Sequence, residues 1–167
     1  MEQRSLMHDN QPQIDPCILA YLAGIVDGEG CIGIYGNYGR WISSRGKRKA
    51  IYRLDVKVGM SDPEPIVLLR QVFAGSIHTR KQLPQGGRRP FYTWCVSQRK
   101  AKYALSLLIP YLRAKKAQAE LALEFTRARA DIGHRYGRLP LSVMEHVELA
   151  EYADQLKFLK REVKLLN

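Results

Sequence analysis

The chain has 167 residues, 46% of them hydrophobic, and a formal net charge of +11. It is one domain in size and has enough apolar material for a core, which argues against wholesale disorder. No apolar run reaches bilayer length and the first dozen residues lack an apolar stretch. The chain therefore reads as soluble and intracellular (cytoplasm, nucleoid or organelle matrix), without a signal peptide.

Residues 1–13 read as a flexible tail, and 14–167 as a single domain. Asp15 followed by Pro16 is an N-cap with proline at the first helical position, and predicts a helix to about Asp27, where Gly28-Glu29-Gly30 breaks it. "CIGIYGNY" alternates, with Ile32 and Ile34 on one face and Gly33, Tyr35 and Asn37 on the other. After a polar basic loop, "YRLDVKV" alternates again, with Tyr52, Leu54, Val56 and Val58 opposite Arg53, Asp55 and Lys57. A hairpin with one dry and one polar face follows from this.

"SDPEP" opens a second helix, either through a Ser61/Glu64 capping box or through Asp62 capping ahead of Pro63, and Gly75 stops it. A second hairpin pairs "SIHTRKQ" with "FYTWCVS" across the loop "LPQGGRRP". Ser76, His78 and Arg80 share its polar face with Thr93 and Cys95, while Tyr92, Trp94 and Val96 face inward. Ser97 is expected to cap a helix to Ile109, broken by Pro110. A longer helix runs from about Leu112 to Ala130, and a Ser142/Glu145 capping box opens the last. This order predicts an α+β domain with one four-stranded antiparallel sheet, one face backed by helices.

The charge is unevenly spread. Residues 1–64 hold 8 acids and 8 bases, and so do residues 120–167, whereas 11 Lys/Arg and no acid lie between Glu64 and Glu120. Such a field suits a polyanion partner. Cys17, Cys31 and Cys95 show no metal-ligand spacing and are expected to be reduced and partly buried. A solvated sheet face is the plain alternative for the polar side chains, but the charge imbalance favours nucleic acid. A β-ribbon fits the DNA major groove, and Asp55 among cations suits acceptance from cytosine N4. The candidate DNA contacts are Gly33, Tyr35, Asn37, Arg53, Asp55, Lys57, Ser76, His78, Arg80 and Thr93 on the sheet. Arg40, Trp41, Ser43, Arg45, Lys47, Arg48, Gln82, Arg88 and Arg89 join them from the loops and strand ends.

Ala20, Gly24 and Gly28 recur every four residues, although a helical glycine costs roughly 1 kcal/mol against alanine. A stripe this small lets two helix backbones approach closely. The stretch Leu22-Ala23-Gly24-Ile25-Val26-Asp27-Gly28-Glu29-Gly30 resembles the motif of the LAGLIDADG homing endonucleases. It matches at Leu, Ala, Gly, Asp and the final Gly, with conservative replacements at Ile25, Val26 and Glu29. The resemblance extends to the segment "IPYLRAKKAQAELALEF" and covers roughly residues 16–126.

The resemblance implies an αββαββ core followed by C-terminal helices. It implies a homodimer, since one motif is present, with Ala20, Gly24 and Gly28 at its interface. Glu29 and the Gly28 carbonyl would hold a divalent metal, Mg²⁺ with Ca²⁺ or Mn²⁺ as substitutes, and Lys115 would be the basic catalytic residue. Asp27 is expected as a cap or hydrogen-bond partner. Met60 stands where the family often carries a polar residue such as glutamine. The implied activity is intron-encoded, metal-dependent cleavage of both strands of a long, nearly palindromic DNA site, over roughly 20 bp. An intron-RNA maturase, a non-cleaving DNA-binding protein and a general nucleic-acid binder are the alternatives.

Overall fold

The computed structural model describes residues 14–37, 51–80, 90–136 and 142–165. Asp15 opens α1 (Pro16–Glu29) by accepting the Cys17 N–H at 2.8 Å, with Pro16 in the first turn. The helix passes straight into β1 (Gly30–Asn37), which pairs with β2 (Ile51–Met60). Helix α2 (Pro63–Phe73) follows, then β3 (Ser76–Arg80) and β4 (Phe91–Ser97). Three helices complete the chain: α3 (Arg99–Leu108), α4 (Lys116–Tyr136) and α5 (Val143–Leu165). The sheet has strand order β1-β2-β4-β3, and every neighbouring pair is antiparallel. The αββαββ order and the C-terminal helices stand as expected.

The core fills one side of the sheet. Ile32, Ile34, Tyr52, Leu54, Val56, Val58, Trp94 and Val96 point into it, against Leu22, Ala23 and Val26 of α1, Ile66 and Leu69 of α2, and Leu105 and Leu108 of α3. Period-two alternation puts these side chains on one face, as the sequence requires. Helices α4 and α5 pack on each other and against the β1 edge, and the Tyr52 hydroxyl donates to the His146 carbonyl at 3.3 Å. Among the described residues no helix is long and apolar enough to cross a membrane.

The bounds of α1, α3 and α4 differ from expectation. Helix α1 runs through Gly28 to Glu29 and stops only at Gly30, because glycine inside a last turn costs too little to unwind it. Of the two caps expected for α2, Asp62 forms, accepting the Glu64 N–H at 3.0 Å. The residue before α3 is Gln98 at φ 53°, without a side-chain cap; its backbone N–H bonds the Leu54 carbonyl at 2.8 Å, so Ser97 remains in the strand. Helix α4 begins at Lys116 instead of Leu112, the turn before it being held by another element. The Ser142/Glu145 box forms as expected, with bonds of 3.2 and 2.7 Å in the two directions. Only Cys95 is partly buried, Cys17 and Cys31 being exposed.

Candidate functional site

A Cβ on Gly30 would run into the Val26 carbonyl oxygen, so the abrupt change from helix to strand requires glycine there. That change leaves Glu29 exposed at the end of α1. Among the described residues its carboxylate enters no hydrogen bond or ion pair. Asp27 is committed elsewhere. Its Oδ2 accepts the N–H of Arg113 at 2.6 Å and of Ala114 at 3.2 Å, and its Oδ1 accepts that of Lys115 at 2.9 Å. These amides form the turn just before α4, so one carboxylate from α1 holds the approach to a helix almost ninety residues away.

The Lys115 ammonium in turn donates to the Asp27 carbonyl. Carbonyls of a last helical turn are short of partners, and the negative end of the helix dipole favours a cation. One helix end thus presents a free carboxylate and a fixed, half-buried ammonium. Glu29 and the Gly28 carbonyl are hard oxygen donors there, of the kind Mg²⁺ accepts when phosphate and water complete its shell. Asp27, holding three N–H groups, is not available as a ligand. No group of three or more His, Cys, Asp or Glu side chains suited to a metal occurs among the described residues.

The outer sheet face forms cross-strand rows. Cys31, Lys57, Cys95 and Ser76 make one; Gly59, Thr93 and His78 a second; Tyr35 with Arg53 and Phe91 with Arg80 two more. Tyr35, Arg53, Ser76, His78 and Arg80 are exposed, and Lys57 and Thr93 half-buried. Lys57 Nζ sits 5.1 Å over the Tyr35 ring, and the Arg80 guanidinium 5.3 Å over Phe91.

Two residues of this face are not exposed as expected. Gly33 is buried because the Tyr35 ring lies over it, where a Cβ would meet the ring at 2.6 Å. Asp55 is 1% exposed, because Arg53 folds over it (Nε to Oδ1 2.8 Å, Nη2 to Oδ2 2.9 Å) and Lys57 Nζ approaches Oδ2 at 3.9 Å. Burial pushes the Tyr35 phenol up, helped by the Cys31 thiol and the Asp55 carboxylate. Burial and then Asp55 push the Cys95 thiol up, against Lys57 and Arg53.

No protein-family model and no curated protein matches this sequence. Solved structures do match. The homing endonuclease I-CvuI, solved in complex with a DNA target, superposes with a TM-score of 0.63 at 22% identity, over 84% of this chain and 80% of that one. The archaeal intron-encoded homing endonuclease I-Vdi141I, complexed with DNA, gives 0.63 at 16% identity, over 84% and 82%. The homing endonuclease I-TnaI gives 0.54 at 16% identity, over 87% and 97%. The chain has the LAGLIDADG homing-endonuclease fold.

On this homing-endonuclease fold the expected groups fall into three places. Lys115 Nζ reaches the Asp27 carbonyl at the end of α1, where Gly28 and Glu29 follow, whereas the sheet residues lie together on the outer face. Ala20, Gly24 and Gly28 are exposed on α1, and a Cβ on either glycine would meet nothing within 4 Å. Arg40, Trp41, Ser43, Arg45, Lys47, Arg48, Gln82, Arg88 and Arg89 lie outside the described residues, as does the side chain of Asn37. Sequence reasoning missed Phe91, though alternation from Thr93 puts it on the outer face. It also missed the partners of Asp27, for which no local signal exists.

Proposed function

We propose that the protein is a homodimeric, metal-dependent homing endonuclease that cuts both strands of a long, nearly palindromic duplex. The observation that carries this is the Lys115 ammonium held on the Asp27 carbonyl at the end of α1, the helix end that also carries the exposed Glu29, on a homing-endonuclease fold. The exposed Ala20/Gly24/Gly28 stripe would lie against a second copy, bringing two Glu29 side chains to one axis. Two carboxylates serve two strands. The outer face, with Tyr35, Arg53, Lys57, His78 and Arg80, would lie in the major groove.

Glu29 and the Gly28 carbonyl would hold Mg²⁺, which when bound supplies Lewis acidity toward water and phosphate oxygens. Lys115 places positive charge where negative charge develops on the phosphate, and Asp27 fixes the backbone and ammonium of Lys115 there. The net charge of +11 draws the duplex in and makes affinity fall steeply with salt.

Met60 favours a second reading, a scaffold that binds DNA or intron RNA without cutting. Its side chain packs on the core, where the resemblance expects a polar group. Selection from a randomised duplex library in Ca²⁺, followed by transfer of the selected site to Mg²⁺, separates the two. The endonuclease reading expects discrete double-strand cuts with short 3′ overhangs, and the binding reading an intact duplex.

A further inference from the structure

Building on the proposed DNA-binding role of the sheet, we propose that Arg53 reads guanine and that Asp55 is the positioning residue that shapes it for that base. Alternation puts Arg53 and Asp55 on the same outer face of β2, yet the Asp55 side chain is 1% exposed and that of Arg53 is 54% exposed. The carboxylate lies beneath the guanidinium. It faces the side edge of the fork, its Oδ2 accepting from Nη2 at 2.9 Å and its Oδ1 in ion-pair range of Nε at 2.8 Å without a hydrogen bond.

A guanidinium has five N–H donors in one plane. Asp55 accepts one of them, from Nη2, and its other oxygen lies 2.8 Å from Nε as an ion-pair contact. The second N–H of Nη2 and one N–H of Nη1 together form the end edge of the fork. That edge offers two parallel donors and no acceptor. Among the bases only guanine shows two acceptors, O6 and N7, in the major groove. Adenine pairs an acceptor with a donor, cytosine offers a donor, and thymine offers one acceptor beside a methyl group.

A long side chain normally loses rotamer freedom on docking, and a fork already held by a carboxylate loses less. The same contact explains how an acid is tolerated on a face meant for phosphates. Covered by Arg53 and approached by Lys57 Nζ at 3.9 Å, Asp55 shows DNA little negative charge. It is also too deep to accept from cytosine N4. Lys57, a point charge drawn toward Asp55 and the Tyr35 ring, carries no comparable base code.

The test is selection of bound duplexes from a randomised library, with wild type, Arg53→Lys and Asp55→Asn compared in Ca²⁺. Wild type is expected to enrich guanine at one position per half-site. Arg53→Lys keeps the charge and loses the fork, so guanine preference at that position falls about tenfold or more while the rest of the site is retained. Asp55→Asn relaxes the same position, with the salt dependence of binding unchanged. Circular dichroism reports whether Asp55→Asn folds, and the exposed Arg53→Lys change decides the matter if it does not. The proposal is overturned if Arg53→Lys leaves every position unchanged, or if the position it relaxes is not guanine. It is equally overturned if folded Asp55→Asn keeps full preference there. A wild type that selects no site at all overturns the DNA-binding reading as well, whereas a selected site without an Arg53-dependent guanine overturns only this inference.

Discussion

Asp27 and Lys115 hold each other twice: the Asp27 carboxylate accepts the Lys115 N–H at 2.9 Å, and the Lys115 ammonium donates to the Asp27 carbonyl. The end of α1 and the start of α4 are thereby locked together, with Glu29 two residues from the lock. Asp27→Ala leaves three amides without their acceptor and should destabilise the fold by about 1–3 kcal/mol. Denaturant unfolding measures the loss. Hydrogen exchange should locate it in residues 113–115, and no local change there would contradict this role of Asp27.

Gly75 sits at φ 102° between α2 and β3, and a Cβ there would meet Val96 Cγ1 at 2.5 Å and the Cys95 carbonyl at 2.7 Å. The neighbouring Trp94 indole, fully buried, donates to the Ala74 carbonyl at 2.7 Å, so the corner cannot shift freely. Gly75→Ala should therefore cost about 1–3 kcal/mol. A melting temperature equal to wild type would show that the corner yields.

Gly24 tests the dimer. Within one protomer a Cβ there meets nothing within 4 Å, so Gly24→Leu should not weaken the isolated subunit. Helix propensity even favours it, by somewhat under about 1 kcal/mol. Packed against a second α1, the same leucine holds the backbones apart. Sedimentation velocity should then show a dimer for wild type and mainly monomer for Gly24→Leu, and a variant that stays dimeric would place the interface elsewhere.

Cys95 gives a pH-dependent prediction. Its thiol is pushed up by burial and by Asp55, so the folded protein holds that proton more tightly than the unfolded chain. Its contribution to stability is full below the unfolded thiol value and is lost as pH rises from there through the folded one, on the alkaline side. Iodoacetamide at pH 8 should label the exposed Cys17 and Cys31 before Cys95, as peptide mass spectrometry would read directly. Cys95 labelling first would contradict the assignment.

The elements were legible because their signals are local. Asp15-Pro16, the alternation of Tyr52 to Val58 and the Ser142/Glu145 box each act within a few residues, and each forms. The misplaced boundaries have distant causes. Gln98 leaves the strand with its N–H on Leu54, and the turn before α4 is organised by a carboxylate from α1. Alternation puts Asp55 on the right face and says nothing of its burial, since it fixes direction and does not report a neighbour folding over. The assignment of Glu29 and Lys115 to one site rests on the family resemblance, because no spacing rule joins residues so far apart.

Glu29 provides the most direct test of the central claim. The exposed carboxylate makes no hydrogen bond or ion pair among the described residues, so Glu29→Gln should leave the free energy of unfolding within about 0.5 kcal/mol of wild type. The measurement is Mg²⁺-dependent cleavage of the selected duplex by wild type and Glu29→Gln, with binding followed in parallel. The account predicts double-strand cuts by wild type, and undiminished binding without cuts by the variant. A Glu29→Gln protein that cuts at the wild-type rate, or a wild type that binds its site and never cuts it, would contradict the account.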